Sequence, residues 1–167
     1  MASNGQNDRD NEAENKRENQ GENGMDWKLE LIVVPVSDID RAKSFYADAV
    51  GFAVDVDYSA GEDFRIVQLT PPGSACSISL MRNPEAAGSL SGLHLVVNNL
   101  AAARAQLLER GAGPSEIFHH EDGRQTPGPD PQGRDYGSFL SFADPDGNGW
   151  LVQEVGRGRT GASGGNG

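Results

Sequence analysis

The sequence predicts an α+β fold built from two successive βαβββ units. Two stretches indicate this, VPVSDIDRAKSFYADAVGF and, about sixty residues later, LVVNNLAAARAQLLERGAG. Each stretch runs from an apolar strand through a polar helix cap and an apolar helical stripe to a glycine. The sequence identity between the two stretches is low, so the repeat is one of secondary-structure order more than of amino-acid sequence.

The first unit is predicted to hold one strand, one helix and three further strands. Apolar side chains with a period of two place the first strand at 28–36. Ser37 or Asp38 caps the helix that follows, and Gly51 ends it. The three further strands are predicted at 52–58, 64–70 and 75–81.

The second unit repeats this order after a linker at 82–91. A strand is predicted at 92–97, and Asn98 or Asn99 caps a helix that ends at Gly111. The turn formers DPDGN join the last two strands of the chain. The three strands after the helix are predicted at 115–119, 136–143 and 149–155.

One folded domain is predicted over 26–155, with the two units at about 26–82 and 90–155. The segment 1–25 is almost entirely polar, and such a composition is typical of a disordered tail. The segment 156–167 is rich in glycine and is predicted to be a flexible tail.

Composition limits the classes of partner. The formal net charge is −11, which opposes a nucleic-acid surface. The sequence has no apolar run of the roughly 20 residues that a membrane span requires, and no secretory signal. The single cysteine, Cys76, cannot form an internal disulfide. We therefore expect a soluble, cytoplasmic protein that binds a small molecule and contacts neither nucleic acid nor membrane.

The paired units, with VSDIDRAKSFY in the first and FADPDGNGW before the last strand, resemble the vicinal oxygen chelate superfamily. This superfamily includes glyoxalases, extradiol dioxygenases, and bleomycin and fosfomycin resistance proteins. The resemblance covers 26–155. It implies that the units curl into an incomplete barrel whose concave face holds the ligand. It also implies a homodimer, since paired units in this superfamily often complete their barrels across subunits.

The resemblance further implies a test for a metal site. Metal-dependent members place His, Gln or Glu ligands at four inward positions, on the first and last strands of each unit. In this sequence these positions are occupied by Leu31, Ser79, Gly92 and Leu151. A divalent site requires three or four N or O ligands at about 2.0–2.2 Å. We therefore predict no metal at the family site and no cofactor, with a divalent metal at a non-standard site as the alternative.

His94 is the candidate acid or base of the predicted cavity. Leu93, Leu95 and Val97 take the helix-facing side of its strand, so His94 points to the concave side together with Gln153. His94 is then a cavity histidine bonded to Gln153 or a serine, a ligand-binding or proton-handling group, or a metal ligand. The predicted cavity lining is Leu31, Val33, Ser77, Ser79, His94, Leu151 and Gln153.

The stretch 123–135 is long, polar and rich in Pro and Gly, which is typical of a loop and raises the hypothesis of a lid over the cavity. At its exit, Arg134 is a candidate anion partner, with a surface salt bridge as the alternative. Tyr136 is a candidate stacking or hydrogen-bonding group. The predicted ligand-binding residues are Ser77, Ser79, His94, Arg134, Tyr136 and Gln153.

The other histidines, the cysteine and the aspartates of the last turn are interpreted as structural residues rather than as catalytic ones. His119 and His120 are adjacent on a strand, so at most one of them can share a site with His94. Cys76 is predicted to be buried and inert on the helix-facing side. Asp144 and Asp146 belong to the turn, which leaves no cavity between them for paired catalytic carboxylates.

Two hypotheses of function follow. The first is a glyoxalase-like protein that binds a small organic molecule without the family metal, akin to the bleomycin-resistance branch. The second is an enzyme, a metal-dependent lyase, isomerase or dioxygenase of glyoxalase type, with a non-standard site around His94 and Gln153. A metal-free enzyme that uses His94 as acid or base belongs to the second hypothesis. A third possibility is a dimer scaffold with a vestigial cavity.

Overall fold

The structure, a computed structural model, describes residues 24–156. Most of the two tails predicted at 1–25 and 156–167 therefore lies outside the described residues. In chain order, the elements are β1 (Leu31–Val36), α1 (Ile39–Ser44) with a π-helical continuation (Phe45–Val50), β2 (Ala53–Ala60), β3 (Phe64–Thr70), β4 (Ser77–Arg82), β5 (Leu93–Val97), α2 (Leu100–Glu109), β6 (Phe118–Glu121), β7 (Arg124–Pro127), β8 (Ser138–Ala143) and β9 (Gly149–Glu154). No helix within 24–156 has the length and apolar character to cross a membrane.

The strands form two separate sheets, one from each predicted unit. The order is β1-β4-β3-β2 in the first sheet and β5-β9-β8-β6-β7 in the second. In each sheet the first strand of the unit pairs in parallel with the last, and the other pairs are antiparallel. The predicted α+β class and the two units are confirmed, and the second unit adds one edge strand, β7, to the βαβββ order. The sheets are not closed into a barrel.

Both helices begin at a side-chain cap. For each helix, the sequence analysis had left two candidate cap residues. The Asp38 carboxylate accepts from the Arg41 N–H at 3.0 Å, and the Asn99 side chain accepts from the Ala102 N–H at 2.9 Å. Each bond satisfies a donor that the first helical turn leaves free. The first helix ends at Gly51, whose φ of 94° is the left-handed conformation that glycine adopts without strain.

The first strand starts later than predicted. Its partner β4 begins at Ser77, opposite Leu31, so residues 24–30 have no strand to pair with. Only the Glu30 carbonyl is engaged, by the Ser77 N–H at 2.9 Å. The apolar period of two extends to residue 28, but hydrogen bonding requires a neighbour as well as a pattern.

A hairpin replaces the first part of the predicted loop at 123–135. Strand β7 pairs antiparallel with β6 through a turn at Asp122 and Gly123, whose φ angles are 49° and 75°. Two positive φ values in a two-residue turn suit an Asp-Gly pair, which is a strong hairpin signal that the sequence prediction missed. Strand β7 is polar and lies at the sheet edge, so it lacks the apolar alternation of a buried strand.

The hydrophobic core lies on the helix-facing sides of both sheets and is continuous between them. The first helix contributes Tyr46 and the adjoining Phe52, which pack against Trp150 with ring centroids 5.8 Å away in each case. The buried apolar residues of the strands are Val34, Val36, Val67, Leu69, Ile78, Leu80, Leu140, Phe142, Trp150 and Val152.

Asn148, in the turn between β8 and β9, joins the two units. Its side-chain nitrogen donates to the Pro35 carbonyl of β1 at 2.9 Å and to the Asp144 carboxylate at 2.8 Å. Its side-chain oxygen accepts from the Leu90 N–H, just before β5, at 3.1 Å. Asn148 has no exposed surface. The DPDGN turn is therefore a docking element of the fold, as its structural interpretation predicted.

Tyr46 continues the same network from the first unit. Its hydroxyl donates to Asp144 at 2.8 Å and accepts from the Trp150 indole N–H at 3.0 Å. Burial and the adjacent carboxylate raise the pKa of Tyr46, so the phenol stays protonated and keeps its proton for Asp144. A second link runs from the Ser37 backbone and hydroxyl to the Asp146 carboxylate.

We predict that Tyr46→Phe lowers the free energy of unfolding by about 2 kcal/mol, because it leaves a buried carboxylate and a buried indole N–H each short of a partner. Urea unfolding followed by Trp fluorescence measures the loss. The control is Tyr58→Phe, at a side chain that is 56% exposed, for which the change is expected to stay within about 0.5 kcal/mol. Equal effects of the two substitutions would contradict a structural role for the hydroxyl network.

Candidate ligand-binding site

Each sheet has a second face, here called its open face, that points away from the hydrophobic core. On β5, Leu93, Leu95 and Val97 pack against the core, whereas His94 and Val96 are exposed on the open face. The alternation follows from the two-residue period of a strand. The facing of β5 predicted from the sequence is thus observed.

His94 and Gln153 share the open face of the second sheet but are not direct neighbours. The register places His94 opposite Leu151, and Gln153 opposite Val96, so the two polar side chains lie on a diagonal. The hydrogen-bond partner of the His94 Nδ1 atom is the Gly92 carbonyl. The sequence had suggested Gln153 or a serine as the partner of His94. The ring instead turns back along its own strand and bonds to neither.

A groove of about 540 Å³ opens where β5, β8 and β9 meet. It combines small residues with the edges of two buried aromatic side chains. The lining residues are Gly92, Gly113, Ser115, Ser141, Phe142, Ala143, Gly149, Trp150 and Leu151. Two of the four family metal positions, Gly92 and Leu151, therefore border an open space. Ser115 was not predicted as a site residue. It was expected at the start of a strand but lies in irregular chain, and its hydroxyl accepts from the Ser141 N–H at 2.9 Å.

Ser77 and Ser79 lie on the open face of the first sheet, and both are buried. The Ser77 hydroxyl shares a hydrogen bond of 2.7 Å with Thr70, which also bonds to Asp55. Ser79 lies opposite Gln68 of β3. The Ser77 hydroxyl is therefore engaged within its own sheet.

The structure does not bring the two predicted halves of the cavity together within one chain. The serines belong to the first sheet, whereas His94 and Gln153 belong to the second, and the sheets share no strand pairing. Within residues 24–156, the structure has no hydrogen bond between either serine and His94 or Gln153. In the single chain, the two predicted parts of the cavity lining therefore lie on the open faces of different sheets.

The four family metal positions do not form a ligand set. Leu31 and Ser79 lie on the first sheet, and Gly92 and Leu151 on the second. Only the serine offers a side-chain oxygen. Among residues 24–156, no three His, Cys, Asp or Glu side chains lie close enough together to hold one ion. The residues present do not fit the metal of the superfamily.

Arg134 is held by its own loop. Its guanidinium donates two hydrogen bonds to the Asp130 carboxylate, at 2.9 and 3.1 Å, and its backbone N–H donates a third at 2.9 Å. The Asp130 side chain is only 1% exposed. Hydrogen bonds from Arg134 hold the pKa of Asp130 well below its usual range. Arg134 therefore forms a salt bridge with Asp130, which was the alternative to its predicted role as an anion partner.

Tyr136 lies at the exit of this loop with its side chain largely exposed. Its φ is 60°, a conformation that costs a bulky residue free energy, and its N–H donates to the Glu154 carbonyl at 2.8 Å. Strained backbone is often retained where a side chain is presented for function. The role of Tyr136 in ligand binding stays a prediction.

The two adjacent histidines point to opposite faces of β6, as predicted. His119 is buried, and its Nδ1 atom bonds to the Gly128 carbonyl at 2.8 Å. His120 is exposed on the open face, where its ring contacts Phe118 and Phe139. This aromatic group was missed from the sequence, although Phe118 and His120 have the two-residue spacing of one strand face.

Cys76 is half-buried rather than buried. It precedes β4 instead of lying within it, and its thiol contacts the Ser77 carbonyl at 3.6 Å. Ser74 holds this strand entry through bonds to both the N–H and the carbonyl of Cys76. The prediction of a buried thiol assumed that Cys76 lies within the strand, but β4 begins one residue later, at Ser77.

The model of the Glyoxalase/Bleomycin resistance protein/Dioxygenase superfamily matches residues 28–152. The chain belongs to this superfamily. The match spans both βαβββ units and the groove between β5, β8 and β9. None of the curated proteins compared with the chain matches it.

Solved structures of the superfamily share the fold. One is TnmS3, an antibiotic binding protein from Streptomyces sp. CB03234, with 30% identity, a TM-score of 0.62, and coverage of 80% of this chain and 100% of that one. Another is a glyoxalase/bleomycin resistance protein from the same organism, with 32% identity, a TM-score of 0.57, and coverage of 76% and 100%. A superfamily member from Sphaerobacter thermophilus DSM 20745 has 26% identity, a TM-score of 0.57, and coverage of 78% and 99%.

We predict that Asp130→Asn lowers the melting temperature at neutral pH, because the loop loses a charge-assisted pair. The folded-state pKa of Asp130 is lowered, so its stabilisation is complete above the unfolded value of about 4 and is lost as the pH falls further. The difference between wild type and variant should therefore narrow only below about pH 4. The control is Asp122→Asn, at an exposed turn residue. A pH-independent difference would contradict the ion pair as the cause.

Proposed function

We propose that the protein binds a small organic molecule on its open faces without the metal of the superfamily. The observation that carries the proposal is the groove of about 540 Å³ bordered by Gly92 and Leu151, two metal positions of the superfamily that hold no ligand atom here. Small-molecule sites combine apolar walls with a few polar groups. Ser115 and Ser141 line the groove, and the exposed His94 lies opposite Leu151 on the open face of the second sheet.

The likeness to TnmS3 supports the proposal. That relative is described as an antibiotic binding protein, and this chain covers its full length at 30% identity. We therefore propose an antibiotic-like organic molecule as the ligand class. A cytoplasmic location remains a prediction from the sequence.

The competing function is an enzyme with a non-standard metal site around His94 and Gln153. The diagonal placement of these residues and the bond from His94 to the Gly92 carbonyl disfavour it, because an ion needs converging ligands. A metal-free acid or base role for His94 is compatible with its exposure. Binding is nevertheless favoured, because no second group for proton transfer lies beside His94 in the register.

We predict that protein treated with EDTA binds an organic probe with unchanged affinity. Bleomycin and the dye 8-anilinonaphthalene-1-sulfonate are suitable probes, measured by calorimetry and by fluorescence. Leu151→Arg, which fills the groove, should weaken binding about tenfold or more, whereas Leu108→Arg, on the exposed side of α2, should not. Binding or turnover that requires a divalent ion and disappears in His94→Ala would establish the competing enzyme instead.

We also propose that the protein is a homodimer, which would cover exposed apolar surface. The open face of the first sheet carries four large apolar side chains that are more than 40% exposed, namely Val33, Val56, Tyr58 and Phe64. Large apolar side chains left exposed together on one sheet face are typical of interaction surfaces. A second copy would also bring its own open faces to those of the first.

The extended segment before β1 supports a second copy as the partner. Met25, Trp27 and Leu29 are exposed, Trp27 to 89%, and they alternate with Asp26, Lys28 and Glu30. Antiparallel pairing of this segment with its own copy, about a twofold axis at Trp27, places Asp26 opposite Lys28 in both directions and Met25 opposite Leu29. Opposite charges and apolar pairs across strands are both stabilising.

We predict that Lys28→Asp raises the dissociation constant of the dimer about tenfold, because two attractive pairs become repulsive. The double variant Asp26→Lys with Lys28→Asp should restore the wild-type value, since it only exchanges the charges. Light scattering coupled to size-exclusion chromatography measures both. A monomeric wild type would refute the dimer, and a dimer unaffected by Lys28→Asp would refute this pairing.

A further inference from the structure

Three aromatic side chains form a cluster on the open face of the second sheet. The rings of Phe118 and Phe139 stack with centroids 5.6 Å apart and planes 23° from parallel. His120 stands nearly perpendicular to both, with centroids 5.8 Å from Phe118 and 5.3 Å from Phe139. We call Phe118, His120 and Phe139 the aromatic cluster. Its rings belong to the neighbouring strands β6 and β8.

Phe139 has one ring face that the aromatic cluster does not use. In the register of the sheet it lies between Phe118 of β6 and Gln153 of β9. Because Phe118 stacks from the side of β6, the other ring face is directed toward β9. Gln153 lies directly opposite there, and the exposed Val96 follows on β5. The ring face thus borders a strip of the open face that holds one polar and one apolar side chain.

The exposure of Phe139 contrasts with that of its neighbours along the strand. Ser138 and Leu140, on the core side, are fully buried, whereas Phe139 is half-buried although it is the largest of the three. Leaving part of an aromatic ring in water forgoes the free energy that its burial would give. A ligand ring that stacks on this face would recover that burial and add the favourable offset geometry of aromatic pairs.

We infer that the ligand carries a planar aromatic group that stacks on Phe139, with a polar substituent that hydrogen-bonds to the Gln153 carboxamide. The inference rests on the proposed binding function and narrows its ligand class. The carboxamide both donates and accepts, so it suits a carbonyl, hydroxyl or amide substituent. The formal net charge of −11 favours a neutral or cationic ring over an anionic one.

A matched pair of probes tests the inference. 2-Naphthamide is planar and neutral, and decahydro-2-naphthamide has the same amide on a saturated frame of similar size. We expect the aromatic amide to bind about three- to tenfold more tightly. Phe139→Leu should remove this preference, and Gln153→Leu should weaken both amides. The control is Leu108→Ala, at an exposed side chain of α2 that belongs to neither open face, which should leave both affinities unchanged.

Nuclear magnetic resonance on the wild-type protein gives a second readout that requires no variant. Ring-current shifts from 2-naphthamide should appear at the amides of Gln153 and Val96 and be absent with the saturated analogue. Equal affinities of the two amides, or equal weakening of both by Phe139→Leu, would overturn the inference and leave the proposed binding function standing. Failure of every organic probe, bleomycin and the dye included, would overturn the proposed function itself.

Discussion

The arrangement of the whole molecule depends on one buried asparagine. Asn148 bonds at the same time to β1 through Pro35, to the chain entering β5 through Leu90, and to Asp144 in its own turn. The Tyr46 hydroxyl and the backbone N–H groups of Asp146 and Asn148 also donate to that carboxylate. A buried carboxylate is tolerated only when hydrogen bonds replace its contacts with water. The complete network is therefore stable, and the loss of any member lowers the stability of the fold. The two units therefore dock in one orientation.

The same network positions the candidate site. Asn148 immediately precedes β9, and Leu90 lies just before β5, so the bond between them fixes the strand entries at which Gly92 and Leu151 border the groove. Binding groups on regular strands keep their positions better than groups on loops. The open faces are consequently attached to a shared core, and the hydrogen bonds of Asn148 fix the strand entries that border the groove.

Local features of the fold were predictable from the sequence, and long-range partners were not. The caps at Asp38 and Asn99 and the facing of His94 follow from short-range chemistry and strand period. The Asp122-Gly123 pair also indicated a hairpin. The strand that follows was missed because it is polar and lacks the apolar alternation of a buried strand. The partner of His94 and the separation of the serines from Gln153 depend on how two sheets dock, and that docking involves residues about a hundred positions apart, which no local pattern contains.

The two units are unequal partners, although they share one topology. The turn between β3 and β4 occupies the same place in the first unit as DPDGN in the second, but it reads PPGSAC, and its hydrogen bonds are local, from Ser74 to Pro71 and Cys76. Of two structurally equivalent turns, one is committed to holding the molecule together. Because the hydrogen bonds of the turn at 71–76 are local, a change in its length or composition should leave the docking of the two units intact.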